Sequence, residues 1–314
     1  MILYLVIPCY NEEAVLNEVS KRLKEKFESL REENLISDKS RVLFVDDGSR
    51  DKTWEMISNF VNDNPMFAGI KLSHNRGHQY ALLAGLMTAK NYADCTISMD
   101  ADLQDDLDAI DKFIEKYNDG CEIVYGVRSQ RKTDTAFKRN TAQWYYKILE
   151  KLGVEIVYNH ADYRLMSRRA LDELEKYEES NLFLRGIVPQ IGLKWDIVPY
   201  ERHERFAGES KYPLKKMLSL AFDGVTSFSS KPITFITAFG VALTLISVLS
   251  LITLLVLLLT LSFSKDVLWI VSTVFLTCGI QLAALGLIGQ YIGKIYKEVK
   301  HRPRYTIETI LLKD

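Results

Sequence analysis

The sequence predicts an α/β protein: a mostly parallel sheet covered by helices, followed by an interfacial helix and two transmembrane helices. Three observations predict it. Apolar β-like runs alternate with helical patterns over residues 1–130, which implies parallel strands covered on both faces. Two stretches, Pro232 to Phe263 and Val267 to Gly293, contain no charged residue. Each exceeds the roughly 20 residues needed to cross hydrocarbon. Just before them, Lys211 to Lys231 carries Leu214, Met217, Leu218, Leu220, Ala221 and Phe222, with lysines on another side. That is the pattern of a helix lying in a membrane interface.

The elements follow in order. Leu3 to Ile7 is a short apolar strand, after which Val15, Val19, Leu23, Phe27 and Leu30 recur at helical spacing. Val42 to Val45 is the second strand and ends in Asp46-Asp47-Gly48-Ser49. A helix begins near Thr53, with Trp54, Ile57, Phe60 and Val61 on its apolar side. Ala68 to Leu72 is the third strand, His78 to Lys90 the third helix, Thr96 to Met99 the fourth strand and Ile123 to Val127 the fifth. The chain then divides into a catalytic domain (1–210), an amphipathic juxtamembrane segment (211–231), a transmembrane hairpin (232–293) and a C-terminal tail (294–314).

Lys211, Lys215, Lys216 and Lys231 precede the hairpin, and Lys294, Lys297, Lys300, Arg302 and Arg304 follow it. The positive-inside rule therefore puts the catalytic domain and both termini in the cytoplasm. No secretory signal peptide is expected, since the apolar Met1 to Ile7 is too short and lacks a basic start. Lys+Arg 40 against Asp+Glu 41 leaves a net charge of −1, which gives nucleic-acid binding no support. Cys9, Cys95, Cys121 and Cys278 show no paired spacing, so neither a disulfide framework nor a zinc site is expected, and a reducing compartment fits.

The first, second and fourth strands all end in polar clusters, which should meet along one edge of the sheet, where α/β sheets bind ligands. The fourth empties into Asp100-Ala101-Asp102-Leu103-Gln104-Asp105-Asp106. Carboxylates at i and i+2 of an extended chain need a kink before both can face one point. Two hard oxygen ligands so placed suit Mg²⁺ or Mn²⁺, held together with substrate phosphates. The plainer alternative is a solvated loop that caps the next helix.

Val6-Ile7-Pro8-Cys9-Tyr10-Asn11-Glu12-Glu13, Val45-Asp46-Asp47-Gly48-Ser49-Arg50-Asp51 and Asp100-Ala101-Asp102-Leu103-Gln104-Asp105 together resemble the family 2 glycosyltransferases of the GT-A fold, a Rossmann-like, mostly parallel sheet. The two C-terminal apolar segments narrow the resemblance to the polyprenyl-phosphate group, which includes dolichol-phosphate mannose synthase and the bactoprenol glucosyltransferases. Asn75-Arg76-Gly77-His78, Ala161-Asp162-Tyr163-Arg164-Leu165-Met166-Ser167-Arg168 and Arg205-Phe206-Ala207-Gly208-Glu209-Ser210-Lys211-Tyr212 fit its bacterial branch. Where relatives often carry two prolines after the aspartate motif, this chain has Asp106-Leu107. It also lacks the Gln-x-x-Arg-Trp motif of processive polysaccharide synthases of the same fold.

The resemblance implies that Pro8, Tyr10, Glu12, Asp46, Asp47, Asp100 and Ala101 bind the nucleotide sugar. It also implies that Asp100, Asp102 and Gln104 hold Mg²⁺ or Mn²⁺. Tyr10 offers a stacking face and Glu12 an acceptor for ribose hydroxyls; Glu12-Glu13 equally suits a helix N-terminus. Arg128, Arg131, Arg202, Arg205, Ser210 and Lys211 are candidates for holding the acceptor phosphate, with Arg128 and Arg205 close to the chemistry. Asp162 is a candidate for acceptor positioning or base work, against a structural pair with Arg164, and His78 reads as structural.

The expectation is an inverting, metal-dependent hexosyltransferase of the bacterial inner membrane. It would move glucose from a UDP-sugar donor to undecaprenyl phosphate, a polyprenyl phosphate lipid acceptor, and act as a homo-oligomer by family resemblance. Transfer of N-acetylglucosamine or another sugar is the alternative. So are a non-catalytic nucleotide-sugar-binding membrane partner and a soluble transferase with a buried helical hairpin.

Overall fold

The computed structural model describes residues 1–129, 160–179, 182–201 and 267–313, with a few single positions between 236 and 249. Strand β1 (Leu3–Cys9) leads into helix α1 (Leu16–Glu32). Then come β2 (Arg41–Asp46), α2 (Thr53–Asp63), β3 (Phe67–Leu72), α3 (His78–Ala89), β4 (Cys95–Ser98), α4 (Ala109–Asn118) and β5 (Ile123–Arg128). Beyond these lie β6 (His160–Ser167), α5 (Arg168–Glu175), α6 (Leu184–Gln190), β7 (Trp195–Tyr200), α7 (Val267–Val299) and β8 (Ile307–Leu311).

All strands join one eight-stranded sheet of order β7-β5-β6-β4-β1-β2-β3-β8. The central pairs β1·β2, β1·β4 and β2·β3 are parallel, as is β5·β7. β1 is buried along its whole length, which is why it reads as a continuous apolar run rather than an alternating one. Leu3, Leu5 and Ile7 face α1, α2 and α4, while Tyr4 and Val6 face α3, α5 and α6. Each fully buried Leu or Ile contributes about 1.5–3 kcal/mol. The periodic residues of α1 (Leu16, Val19, Leu23, Phe27, Leu30) are all buried. Gly85 lets α3 press onto the sheet, because a Cβ there would lie 2.4 Å from Val6 Cγ1 and 2.7 Å from Val45 Cγ2.

The sheet is mostly parallel, as expected, with two antiparallel strands that the sequence did not reveal. β6 is inserted between β4 and β5 and runs antiparallel to both. β8, from the segment expected to be a separate tail, pairs antiparallel with β3 at the sheet edge. Among the described residues no helix is long and apolar enough to cross a membrane. The first expected span, 232–263, and the interfacial segment, 211–231, lie almost wholly outside those residues. The second expected span falls within α7, a helix of 33 residues.

Candidate active site

The carboxyl ends of β1 and β2 are stapled to each other by loop hydrogen bonds. Asn11, at φ 52°, donates its N–H to Ser49 Oγ (3.0 Å) and accepts from Arg50 N at Oδ1 (2.9 Å). Glu12 N–H donates to Thr53 Oγ1 (2.9 Å). Asp46 is fully buried in the strand end and accepts from Ser49 N at 3.3 Å. Asp47 accepts from Arg76 N (2.7 Å) and Gly77 N (2.8 Å), one on each oxygen. Burial raises the pKa of both carboxyls against these hydrogen bonds. Asp47 thus locks the loop that leads into α3, while Asp46 fixes the turn after β2 through Ser49. Pro8 is buried in the β1·β2 ladder opposite Val45.

Gly48 makes the closest approach between the two loops. Its φ is +66°, and a Cβ would meet Asn75 N at 2.7 Å. Gly48→Ala is therefore expected to cost about 1–2 kcal/mol of left-handed strain and to push the 74–77 loop away. A lower denaturation midpoint in a denaturant titration would report the strain. Beside this contact opens a cleft of about 300 Å³, lined by Tyr10, Ser49, Arg50, Lys71, His74 and Glu308 among others.

The aspartate motif forms a turn beyond β4. Leu103, buried at φ 56°, turns the chain just after Asp102, and Gln104 N–H donates to Asp102 Oδ1 at 3.2 Å. Ala101 is buried beneath the turn. His78 Nε2 at the start of α3 lies 2.9 Å from Asp100 Oδ1. Burial opposes its protonation, but the Asp100 carboxylate prevails and pushes the His78 pKa up to about 9. Tyr163 donates its hydroxyl to Asp106 O (2.9 Å), and Tyr200 donates to Asp105 Oδ1 (2.6 Å). Arg128, at the end of β5, donates from Nε to the Tyr200 hydroxyl at 3.4 Å. The turn is therefore braced from two other strands, with Arg128 linked to it through Tyr200.

Asp162 of β6 is held by two guanidinium groups. Arg185 Nε and Nη2 grip it at 3.1 and 2.9 Å, and Arg164 Nη2 lies at 3.3 Å. Burial works against its charge, but Arg185 and Arg164 hold the carboxyl well below the usual range. Of the readings open for Asp162, the geometry favours the structural pair, because a carboxylate so held is a poor proton acceptor. Arg185 and His78 are the site residues that sequence reasoning missed or set aside. Arg185 belongs to no dense motif, and a lone Arg gives little signal; His78 lies in the Asn75-Arg76-Gly77-His78 motif but reads there as structural. Arg131, Arg202, Arg205, Ser210 and Lys211 lie outside the described residues.

The profile described as glycosyl transferase family 2 matches residues 4–175, which contain the stapled loops, the aspartate turn and Asp162. The chain belongs to this family. Among its relatives, the uncharacterized glycosyltransferase YkoT of Bacillus subtilis (strain 168) is 52% identical, covering 98% of this chain and 91% of the relative. The bactoprenol glucosyl transferase of Shigella phage SfV is 38% identical over 97% of each chain. The prophage bactoprenol glucosyl transferase homolog of Escherichia coli (strain K12) is 38% identical over 98% of each.

The family 2 site fits a divalent cation in one particular way. Among the described residues no three His, Cys, Asp or Glu side chains gather into a closed metal cage. Asp100 and Asp102 instead present hard oxygens on a turn, with Asp100 37% exposed at its side chain. A pair of carboxylates suits Mg²⁺ or Mn²⁺ that completes its shell with water and substrate phosphates.

Proposed function

We propose that this family 2 glycosyltransferase moves a single hexose from a UDP-sugar to a polyprenyl phosphate, with inversion at the anomeric carbon. Glucose is the first choice of sugar and N-acetylglucosamine the second. The observation that carries the reading is a nucleoside-sized cleft and an aspartate turn on one sheet edge. Its carrier is a chain that matches a bactoprenol glucosyl transferase over 97% of its length.

The chain's own groups divide the work. Tyr10 and the loops fixed by Asp46 and Asp47 receive the nucleoside. Asp100 and Asp102, with Gln104 beside them, would hold the cation, which supplies Lewis-acid neutralisation of the leaving diphosphate. The acceptor needs no strong base. A phosphate monoester has its second pKa near 6 and is largely anionic at neutral pH. Its oxygen attacks the anomeric carbon as the bond to the diphosphate breaks. The protein's task is to bring two anions together and screen them. Arg128 and Arg185 lie on the described side of the site; Arg205 and Lys211 are proposed to close it from the membrane side.

The membrane arrangement is part of the same proposal: a homo-oligomer anchored by 232–293, with the catalytic domain and both termini cytoplasmic. Its support is the two charge-free runs, 232–263 and 267–293, each longer than the roughly 20 residues that cross hydrocarbon; the return of β8 to the sheet after α7 agrees with both ends of such a hairpin lying on one side.

Arg205→Ala is expected to lower kcat/KM by about tenfold to a hundredfold, since hydrogen bonds to charged groups contribute about 1.5–3 kcal/mol each. Arg205→Lys should stay impaired for lack of the bidentate fork. Wild-type turnover by Arg205→Ala would move the clamp to Arg202 or Arg128. The donor assignment is tested by a panel of UDP-glucose, UDP-N-acetylglucosamine and GDP-mannose, each with undecaprenyl phosphate. Nucleotide release should be fastest from UDP-glucose and should require the lipid. Preference for the GDP-sugar would overturn the donor assignment.

A further inference from the structure

We propose that the C-terminal strand β8 is part of the donor pocket, with Glu308 a nucleoside-binding residue delivered there by a β-bulge. This rests on the nucleotide-donor reading of the cleft. The β3·β8 register pairs Leu72 with Ile307 but Lys71 with Thr309, so Glu308 is the extra residue of the irregularity. Bulges beside functional sites re-aim a side chain. Here Glu308 turns into the cleft that also contains Tyr10, Ser49 and His74, and its Oε1 lies 3.0 Å from Lys71 Nζ, 237 residues away in the chain.

Holding the strand down does not account for this pair. The side chains are 27% (Lys71) and 47% (Glu308) exposed, and ion pairs in such surroundings contribute little to stability. The C-terminal segment is anchored elsewhere. Ser73 N–H donates to Thr306 O (3.0 Å), Arg76 Nη2 to Pro303 O (3.1 Å) and Lys313 Nζ to Asn62 O (2.8 Å). What the pair offers is an acceptor and a donor side by side on a cleft wall. The carboxylate accepts from a ribose hydroxyl or a base N–H, and the ammonium donates to a base carbonyl. The pair is neutral overall, so it does not repel the diphosphate that the aspartate turn is read to receive. Donor affinity then depends on the end of the chain returning to the sheet.

The test uses the full chain in detergent and titrates UDP and GDP in the presence of Mn²⁺. Glu308→Ala is expected to bind UDP about tenfold more weakly with an unchanged denaturation midpoint. The exchanged pair, Lys71→Glu with Glu308→Lys, restores the ion pair but inverts what the nucleoside meets, so it should stay weak. UDP binding by Glu308→Ala at wild-type affinity would overturn the proposal. Full recovery in the exchanged pair would do so too, because Glu308 would then act only as a strand anchor. A folded wild-type chain that bound neither UDP nor GDP would overturn the donor reading itself, and this proposal with it; unaltered variants of a UDP-binding wild type overturn the role of Glu308 alone.

Discussion

Asp102→Asn is expected to abolish glycosyl transfer while leaving the fold intact. Asp102 sits on the turn after β4, where its Oδ1 accepts from Gln104 N–H at 3.2 Å. An amide oxygen can still accept that hydrogen bond, so the turn should persist. The lost negative charge is the part a divalent cation requires. Neutralising a leaving diphosphate is worth several kcal/mol in the transition state, so a loss of about a thousandfold or more in kcat is expected. Chelator should reproduce the loss in the wild type, and added Mn²⁺ or Mg²⁺ should reverse it. Steady-state turnover and circular dichroism on the same preparation separate lost chemistry from lost folding. Wild-type turnover in excess chelator would refute the metal assignment.

Asp162→Asn is expected to be the most destabilising substitution of a polar site residue. Arg164 is 1% exposed and has the Asp162 carboxylate as its ion-pair partner, shared with Arg185. Removing the negative member leaves a buried guanidinium uncompensated, which costs about 3–5 kcal/mol. That is a large share of a typical domain's 5–15 kcal/mol. Denaturant titration of the catalytic domain's signal in the full chain reads this directly. Were Asp162 only a proton acceptor, the variant would lose turnover and keep its midpoint.

The parallel half of the sheet was legible because its strands are buried on both faces. Leu3 to Ile7 and Val42 to Val45 can be little else. β6 was visible only as a motif. Asp162 and Arg164 interrupt its apolar run, and nothing in hydropathy tells a buried ion pair from two surface charges. β8 escaped notice because an edge strand such as Ile307–Leu311 is half solvated, alternating intermediate and exposed residues. Tyr10 and the aspartate turn were legible as candidates because they lie in dense motifs. Asp47 was expected at the nucleotide; the structure adds that each of its oxygens also accepts from the backbone of Arg76 or Gly77, a contact between loops 29 and 30 residues apart that spacing alone does not encode. His78 and Arg185 depend likewise on how α3 and α6 aim their first turns.

The measurement closest to the central claim follows the sugar itself. Purified full-length protein is incubated in detergent with UDP-glucose labelled in the sugar, undecaprenyl phosphate and Mn²⁺, and the label is counted after partition into organic solvent. The label is expected to enter the lipid phase, and to stay in water when the lipid, the metal or Asp102 is removed. If folded protein leaves the label of UDP-glucose, UDP-N-acetylglucosamine and GDP-mannose alike in the aqueous phase, transfer to a polyprenyl phosphate is contradicted.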